Sequence, residues 1–284
     1  MSRSWRAVGV GALLVLAVGC AGPTPPPAPV SAPSITAQEP GTPVTSPARQ
    51  AVDAGDATVT RDGVDVGIAV LDRRTGTLAT NDAGASLFNS ASLSKVLTVV
   101  DVLTQAGAGG ITDTERRLIQ AALGPSDDEA MNSLYTRSGG SSGITRVIER
   151  LGLQDTTVSA DSSQWGEVQL SPRDMTSVLR FVVEGLAPAD RDLVLAAMTA
   201  APAQATDGFD QAFGLLDPAR RGPAAAKQGW LCCLGDSVDL HSAGIPDEAG
   251  RYVVAILSQQ PFGYPAARSV LDDASAAVRD VLGA

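Results

Sequence analysis

Cysteine and histidine are nearly absent from this sequence. Its 284 residues include three cysteines, Cys20, Cys232 and Cys233, and a single histidine, His241. So few cysteines exclude a scaffold built on disulfides and a zinc site made of spaced cysteine pairs. The histidine falls in a strand-like segment, where we expect it in the core or at its rim rather than at a metal. We expect no metal and no other cofactor.

Basic residues are also scarce. The chain has 21 Lys and Arg against 31 Asp and Glu, for a formal net charge of −10. A nucleic-acid-binding protein needs a basic face to neutralise phosphates, so we expect no nucleic-acid partner. The hydrophobic share of 44% is nevertheless that of an ordinary globular protein. The chain can therefore bury a core.

The N-terminus has the features of an export signal. Arg3 and Arg6 precede an apolar run over residues 8–18 that is too short to span a bilayer comfortably. The run ends in small residues followed by Cys20, a pattern that resembles the lipobox of bacterial lipoproteins. The resemblance implies a signal peptide at residues 1–19 and a lipid on Cys20 that holds the chain on the extracytoplasmic face of the cell membrane. An ordinary secretory signal is the alternative.

A proline-rich tether is predicted at residues 20–52. Nine of the 18 prolines fall between residues 21 and 50, among Ala, Ser, Thr and Gly. Proline fixes φ and removes a backbone donor, so this stretch is predicted to be extended and solvated. We expect the folded domain to occupy residues 53–284.

The folded part has strands at both ends and a helical middle. Apolar and small or polar residues alternate over residues 64–70, which predicts a strand with one buried face. Further strands are predicted at 77–80, 224–231, 237–243 and 252–259, and helices at 92–105, 112–123, 128–137, 142–151, 172–185, 188–199 and 266–282. This order predicts an α+β fold, in which terminal helices cover an antiparallel sheet and a helical lobe is inserted.

The chemistry is expected at Ser92 and Lys95, which form an S-x-x-K motif at the start of a predicted helix. Residues three apart share a helix face, so the Lys95 amine can reach the Ser92 hydroxyl and activate it. The chain has only two lysines, Lys95 and Lys227, against 19 arginines. Arginine is not usefully deprotonated, so the two lysines indicate positions where the amine must lose and regain a proton.

These motifs resemble those of the serine β-lactamase and penicillin-binding-protein superfamily, most closely the class A β-lactamases, whose motif set is S-x-x-K, S-D-N and K-T-G. Ser126-Asp127-Asp128 stands where the second motif belongs, with Asp in place of Asn. Lys227-Gln228-Gly229 matches the third motif, with Gln in place of Thr, and Asn132 matches a further asparagine of the family. The resemblance covers residues 60–284 and implies the β-lactamase/transpeptidase-like fold.

The resemblance also implies a role for each matched residue. Ser92 would be the acylated nucleophile, Lys95 its base and Ser126 the relay of a proton to the leaving nitrogen. Lys227 would keep the site electropositive and help to bind a substrate carboxylate. The backbone N–H groups of Ser92 and Trp230 would form the oxyanion hole. Four further residues would bind substrate: Asp128, Asn132, Gln228 and Gly229.

Several matches have a purely structural alternative. Ser126 and Glu129 have the spacing of a capping box, and Asp128 is the kind of acid that the first turn of a helix favours. If Asp128 enters the site, it should raise the pKa values of both lysines. The E-x-x-L-N pattern of class A enzymes is absent from residues 158–170, where Glu167 is the only candidate for a deacylating base; a surface role is the alternative. Cys232 and Cys233 are predicted either as thiols or as a vicinal disulfide.

Two functions follow from these observations. The first is a monomeric, lipid-anchored serine acyl-hydrolase that forms an acyl-serine with β-lactams or with D-alanyl peptides of the cell wall. The second is a catalytically impaired envelope lipoprotein that keeps the fold as a binding or scaffold module. The departures at Asp128, Gln228 and residues 158–170 motivate the second.

Overall fold

The computed structural model describes residues 45–60, 62–219, 224–233 and 235–284. The predicted signal peptide at residues 1–19, the predicted lipidation site Cys20 and residues 21–44 of the predicted tether lie outside the described residues.

Helices and strands follow the order that the sequence pattern predicts. The helices of the described residues are α1 (Pro47–Asp56), α2 (Ser94–Ala106), α3 (Asp113–Leu123), α4 (Asp128–Arg137), α5 (Ser141–Leu151), α6 (Pro172–Glu184), α7 (Pro188–Thr199) and α8 (Tyr264–Leu282). The strands are β1 (Asp65–Asp72), β2 (Thr77–Thr80), β3 (Phe88–Asn89), β4 (Gln169–Leu170), β5 (Ala225–Cys232), β6 (Ser237–Ile245) and β7 (Tyr252–Pro261). None of these helices is long and apolar enough to cross a bilayer.

Five strands form one antiparallel sheet in the order β2-β1-β7-β6-β5. In its register, Val70 of β1 lies opposite Val254 of β7, and Lys227 of β5 lies opposite Ala243 of β6. The short strands β3 and β4 pair separately. Strand β5 is an edge strand of the large sheet, so one row of its backbone groups is free to face a cleft.

The sheet is buried on both faces. Ile68 and Val254 pack with Val278 of α8 in one apolar cluster, which also contains buried residues of α1. Val253 and Leu257 point the other way and pack in a second cluster with Leu97 of α2 and with residues of the helical lobe. The predicted α+β architecture, with terminal helices on the sheet and an inserted helical lobe, is confirmed.

The predicted cap is present at the start of α3 but not at the start of α4. Thr112 Oγ1 accepts from the backbone N–H of Glu115, and the Glu115 carboxylate accepts from the backbone N–H of Thr112 at 2.8 Å, so the predicted capping box of α3 is present. At α4 the N-cap is Asp127, whose Oδ1 accepts from Ala130 N–H at 2.8 Å. The capping alternative for Ser126 is therefore wrong, and its hydroxyl is available for other contacts.

Helix α1 begins before the predicted domain boundary at residue 53. Pro47 occupies the first turn, and the Ser46 side chain caps the helix by accepting from Arg49 N–H. Ala48 and Val52 of this helix are fully buried. The last residues of the predicted tether are therefore helical and belong to the folded part.

Candidate active site

Ser92 lies in a 3-10 turn, Ala91–Leu93, directly before α2. Ala91 has a φ of +46°, a left-handed conformation that costs a non-glycine residue about 1–3 kcal/mol. Ser92 itself is only 5% exposed. Backbone N–H groups at a helix start are not used within the helix and favour negative charge. The position therefore suits an anionic intermediate on Ser92.

Ser126 lies between α3 and α4 and also has a left-handed backbone, with a φ of +59°. Ala91 and Ser126 are the two non-glycine residues with positive φ in the described part of the chain. Because Asp127 caps α4, the Ser126 side chain is directed towards Ser92, with its Oγ 3.2 Å from Ser92 Oγ. Both strained residues therefore belong to the same site.

Both lysine amines contact the hydroxyl of Ser126. Lys95 Nζ lies 2.9 Å from Ser126 Oγ, and Lys227 Nζ lies 2.8 Å from the same atom. Within the described residues, Lys95 is therefore linked to Ser92 through Ser126, whereas the sequence predicted a direct contact. The structure brings together the four residues for which catalytic roles were predicted, with Ser126 at the centre.

Lys95 has three oxygen partners. Its amine donates to Ser126 Oγ, to the Ser126 carbonyl oxygen at 2.7 Å and to Asp128 Oδ1 at 2.6 Å. The Lys95 side chain is fully buried, whereas the Asp128 side chain is 58% exposed. Burial lowers the pKa of Lys95, and the Asp128 carboxylate opposes this by raising it. Asp128 does enter the site, but burial outweighs the expected increase in the Lys95 pKa.

Lys227 is buried to 1% exposure on β5. Besides Ser126 Oγ, its amine donates to the Gln228 carbonyl oxygen at 2.8 Å. Burial, reinforced by repulsion from Lys95, places the pKa of Lys227 well below its usual value. The Asp128 carboxylate raises the pKa of Lys227, as expected, but this effect does not compensate for the burial of the amine.

Gln228 faces away from Lys227, as successive residues of a strand do. Its side chain is fully buried, and its amide nitrogen donates to the carbonyl oxygen of Phe213. This placement does not fit the prediction that the Gln228 amide binds a substrate carboxylate in the cleft. Gln228 instead ties β5 to the segment that follows α7.

Gly229 lies where β5 approaches the turn that carries Ser92. A Cβ at this position would come within 3.1 Å of the Ser90 carbonyl oxygen and 3.0 Å of His241 Cδ2. The absence of a side chain therefore allows β5 and the turn to lie close together. The next residue, Trp230, also lies on β5 and lines the cleft, and its oxyanion-hole role stays a prediction.

The cleft in front of Ser92 has a volume of about 380 Å³. It is lined by Ala91, Ser92, Asp128, Asn132, Ser163, Gln164, Trp165, Gly166, Trp230 and Leu231. Asn132 Oδ1 accepts from Trp165 Nε1 at 2.9 Å, and the Trp165 ring centroid lies 5.2 Å from Lys95 Nζ. Of the predicted substrate-binding residues, Asp128 and Asn132 therefore line the cleft.

The loop that carries Trp165 is held at its base by a buried carboxylate. Asp174 of α6 accepts hydrogen bonds from the backbone N–H groups of Gln154, Asp155 and Thr156, at 2.8–3.1 Å. The bridge between Thr157 and Gln169 closes the loop above these contacts. Trp165 is thereby positioned by α6, outside the motifs that the sequence analysis used.

Glu167 lies in the 3-10 turn Trp165–Glu167 at the edge of the cleft. Its neighbours Trp165 and Gly166 line the cleft, whereas Glu167 is not one of the described residues that line it. The alternative of a surface role therefore fits this placement better than a role as the deacylating base.

His241 is a core residue, as expected. It is fully buried on β6, with Nε2 2.7 Å from the Asn89 carbonyl oxygen and Nδ1 accepting from Ser258 N–H at 3.2 Å. Burial lowers the pKa of the imidazole. Cys232 and Cys233 form a disulfide, in agreement with the vicinal alternative. The described residues contain no group of three or more His, Cys, Asp or Glu arranged to hold a metal ion.

The rings of two tryptophans at the cleft were not predicted from the sequence as part of the site. The chain has three tryptophans, and two of them, Trp165 and Trp230, line the cleft. Trp230 stacks on Phe209 with ring centroids 4.5 Å apart and donates from Nε1 to Asp207 at 3.0 Å. The scarcity of tryptophan, like that of lysine, was a signal that could have pointed to these positions.

Comparison with known proteins agrees with this geometry. The sequence profile of the β-lactamase enzyme family matches residues 110–282, a range that includes Ser126 and Lys227 and begins after Lys95. A protein of Mycobacterium tuberculosis strain H37Rv, named "Putative lipoprotein LppW", is 32% identical over 256 residues. The match covers 88% of this chain and 78% of that protein.

Solved structures show the same fold at low sequence identity. A class A β-lactamase from Bacteroides cellulosilyticus superposes with a TM-score of 0.69 at 15% identity, covering 84% of this chain and 99% of that chain. The protein PBP-A superposes with a TM-score of 0.65 at 19% identity, covering 82% and 96%. A mutant of PBP-A, at the same TM-score, was solved as an acyl-enzyme complex with penicillin G.

The family profile, the sequence relative and the shared fold thus confirm the resemblance to the β-lactamase and penicillin-binding-protein superfamily that the motifs suggested. The chain belongs to the β-lactamase enzyme family.

Proposed function

We propose that this protein is a lipid-anchored serine acyl-hydrolase on the extracytoplasmic face of the membrane, which forms an acyl-serine with β-lactams or with D-alanyl peptides. The single observation that carries this proposal is the hydrogen-bonded chain from Ser92 Oγ through Ser126 Oγ to two buried amines. A serine hydroxyl is a weak nucleophile until a neighbouring base takes its proton. A buried lysine with a lowered pKa can be such a base.

The reaction follows from these contacts. Ser92 Oγ attacks the carbonyl carbon of the substrate amide, and its proton passes by way of Ser126 to an amine. The negative charge that develops on the carbonyl oxygen is stabilised by the backbone N–H groups of Ser92 and Trp230. One such donor is typically worth about 2.7–4 kcal/mol of barrier. When the amide C–N bond breaks, Ser126 returns the proton to the leaving nitrogen.

The acyl-enzyme is proposed to hydrolyse slowly. Rapid deacylation needs a base that activates water beside the acyl-serine. Glu167 does not line the cleft, and Asp128, which does, is engaged by Lys95. This arrangement favours the penicillin-binding subtype over the β-lactamase subtype.

The cellular location is proposed from the N-terminus. A signal peptide at residues 1–19, a lipid on Cys20 and a tether that ends before α1 would hold the folded part outside the membrane. The lipoprotein name of the mycobacterial relative supports this assignment. We propose that the folded part acts as a monomer.

The proposal is tested by labelling the chain with a fluorescent penicillin. We expect covalent label on the wild-type chain, no label on Ser92→Ala, and normal label on Ser133→Ala, an exposed serine of α4 outside the cleft. Steady hydrolysis of nitrocefin would assign the β-lactamase subtype, whereas a stable adduct would assign the penicillin-binding subtype. An unlabelled wild-type chain, under conditions in which a control penicillin-binding protein is labelled, would reject the proposal.

The second candidate function is a non-catalytic binding module. The ion pair between Lys95 and Asp128 favours it, because a lysine held as an ammonium is not a base. In that case Ser92→Ala would leave the cellular phenotype of the wild-type gene unchanged. The hydrolase is the better-supported function, because a second buried amine, that of Lys227, also contacts the Ser126 hydroxyl and can act as the base.

A further inference from the structure

The two amines of the site differ in their partners. Lys95 has three oxygen partners, one of them the Asp128 carboxylate, which matches the three N–H donors of an ammonium group. Lys227 has two oxygen partners in the described residues, Ser126 Oγ and the Gln228 carbonyl oxygen, and neither is charged. A neutral amine has two N–H donors and one lone pair, so Ser126 can donate to the lone pair and the Gln228 carbonyl oxygen can accept from one N–H. Two uncharged partners of this kind suit a neutral amine better than an ammonium group, which favours a charged partner.

Ser126 Oγ limits how many charges the pair can carry. A hydroxyl donates one hydrogen bond and accepts two. If both lysines were ammonium groups, each would donate to Ser126 Oγ, and its proton would point at Ser92 Oγ. Ser126 could then not receive the Ser92 proton. Two buried like charges on one shared partner also disfavour each other, so one amine is expected to be neutral.

The surrounding charges decide which amine is neutral. Asp128 contacts Lys95, and Asp127 also stabilises the Lys95 charge from the start of α4. Asp128 and Asp207, the latter from the segment between α7 and β5, stabilise the charge of both lysines, whereas the charge of Lys95 disfavours a charge on Lys227. Among the described residues, Lys95 is the one of the two lysines whose amine contacts a carboxylate directly, that of Asp128.

We propose that Lys95 is the fixed ammonium group of the site and that Lys227 is the neutral amine that receives the Ser92 proton through Ser126. This inference rests on the proposed function, and it reverses the roles that the family resemblance implied for the two lysines. Lys95 then orients Ser126 by donating to it. The proposal places the hydroxyl protons so that Ser126 Oγ is the donor across the 2.8 Å to Lys227 Nζ and Ser92 Oγ is the donor across the 3.2 Å to Ser126 Oγ. Each hydrogen-bonding site of Ser126 Oγ is then used.

The proton transfer balances. The Ser92 Oγ–C bond forms, the carbonyl π electrons move to oxygen, the Ser92 proton moves to Ser126, and the Ser126 proton moves to Lys227, which becomes an ammonium group. When the tetrahedral intermediate collapses, the C–N bond breaks. Lys227 then returns its proton to Ser126, and the Ser126 proton goes to the leaving nitrogen. The amine is neutral again in the acyl-enzyme.

The composition of the chain allows a direct test. Because Lys95 and Lys227 are the only lysines, full-length protein labelled with ¹³C-lysine gives two Cε signals. The Lys95→Arg variant assigns them. Near neutral pH we expect the Lys95 signal at the ammonium position and the Lys227 signal at the amine position. Two ammonium signals, or a neutral Lys95 beside a charged Lys227, would overturn the assignment. This readout does not depend on acylation.

Acylation rates test the proton transfer itself. Arginine keeps the charge but is not a base at these pH values. We expect Lys227→Arg to lower the rate of acylation by about 100-fold or more and to abolish its rise with pH, whereas Lys95→Arg lowers the rate by less than about tenfold. The reverse order would overturn the proposal. A chain that takes no label at any pH would reject the proposed function and the relay together, and the lysine signals would still decide which amine is charged.

A double variant separates a lost base from a misfolded site. Adding Asp128→Asn to Lys227→Arg removes the carboxylate that holds Lys95 charged, while the guanidinium introduced on β5 supplies the fixed cation. We expect Lys95 to become the base and the acylation rate to recover by about tenfold relative to Lys227→Arg. A lack of recovery in a double variant that melts like the wild type would contradict the proposed exchange of roles.

Discussion

At the scale of single residues, the chemistry depends on two buried lysine amines that contact the same hydroxyl, that of Ser126. A lysine carries about 2 kcal/mol of side-chain entropy in addition to its charge, so its full burial needs a reason. Here each amine has oxygen partners, and both share Ser126 Oγ. Burial lowers the pKa of each lysine, so protonation of these groups is coupled to folding.

Stability should therefore depend on Lys227 in a pH-dependent way. Its pKa is lower in the folded state than the 10.5 of an ordinary lysine, so between these two values the unfolded chain binds more protons and raising the pH stabilises the folded chain. We expect the free energy of unfolding of the wild type, minus that of Lys227→Met, to increase from pH 7 to pH 9. The increase should be at most about 1.4 kcal/mol per pH unit. Urea denaturation at each pH measures it.

The control for this measurement is Arg150→Met, which removes an exposed cation from α5. Arginine does not titrate in this range, so its difference from the wild type should stay constant with pH. A constant difference for Lys227→Met as well would show that Lys227 has an ordinary pKa in the folded chain.

At the scale of elements, the site depends on how closely β5 approaches the turn before α2. Gly229 is the contact point, because an added Cβ would meet the Ser90 carbonyl oxygen, His241 and Ala91. We expect Gly229→Ala to push β5 away from Ser92 and to lower the acylation rate by about tenfold or more, since misplacement by 1 Å can cost about 100-fold. The stability loss should be about 1–3 kcal/mol, as for other overpacked sites.

Gly109→Ala is the matched control for Gly229→Ala. Nothing lies within 4 Å of a Cβ added at Gly109, which is exposed after α2. Acylation and melting temperature should both match the wild type in this variant. Normal acylation by Gly229→Ala would mean that the spacing between β5 and the Ser92 turn does not limit the reaction.

Most elements could be predicted from the sequence because periodicity and capping residues agree locally. The bounds of α4 and α7 match the predicted 128–137 and 188–199. Helix α1 was missed because its composition continues that of the proline-rich segment. The signal was present, since Ser46 followed by Pro47 is a typical helix start. Its stability comes from packing against α8, which no local pattern reveals.

The residues of the candidate site could be predicted from the sequence, but the hydrogen bonds between them could not. Ser92, Ser126 and Lys227 are far apart in sequence, and family motifs placed them in one cleft. That Ser126 rather than Ser92 contacts both amines follows from its left-handed backbone, which the local sequence does not reveal. The burial of Gln228 follows from strand alternation, because Lys227 already faces the site. Here strand geometry was a better guide than the resemblance.

At the scale of the whole molecule, the first and last helices cover the same face of the sheet. Gly55 of α1 lies so close to α8 that a Cβ would come within 2.8 Å of Val278. Val52 of α1 is fully buried in the same cluster. The folded part therefore includes residues that precede the predicted boundary at residue 53.

Truncation tests this boundary. We expect a chain that begins at residue 45 to melt like the full chain. A chain that begins at residue 57 lacks α1 and should melt roughly 5 °C lower or more, because burial of Val52 alone is worth about 1.5–3 kcal/mol. Scanning calorimetry compares the three chains. Equal melting temperatures for the two truncated chains would show that α1 does not contribute to the fold.

The most direct test of the account is the mass of the chain after exposure to a β-lactam. If Ser92 is the nucleophile of a slowly deacylating site, intact-mass measurement should find one added β-lactam per chain, and peptide mapping should locate it on Ser92. A chain of unchanged mass, or an adduct on any other residue, would contradict the account.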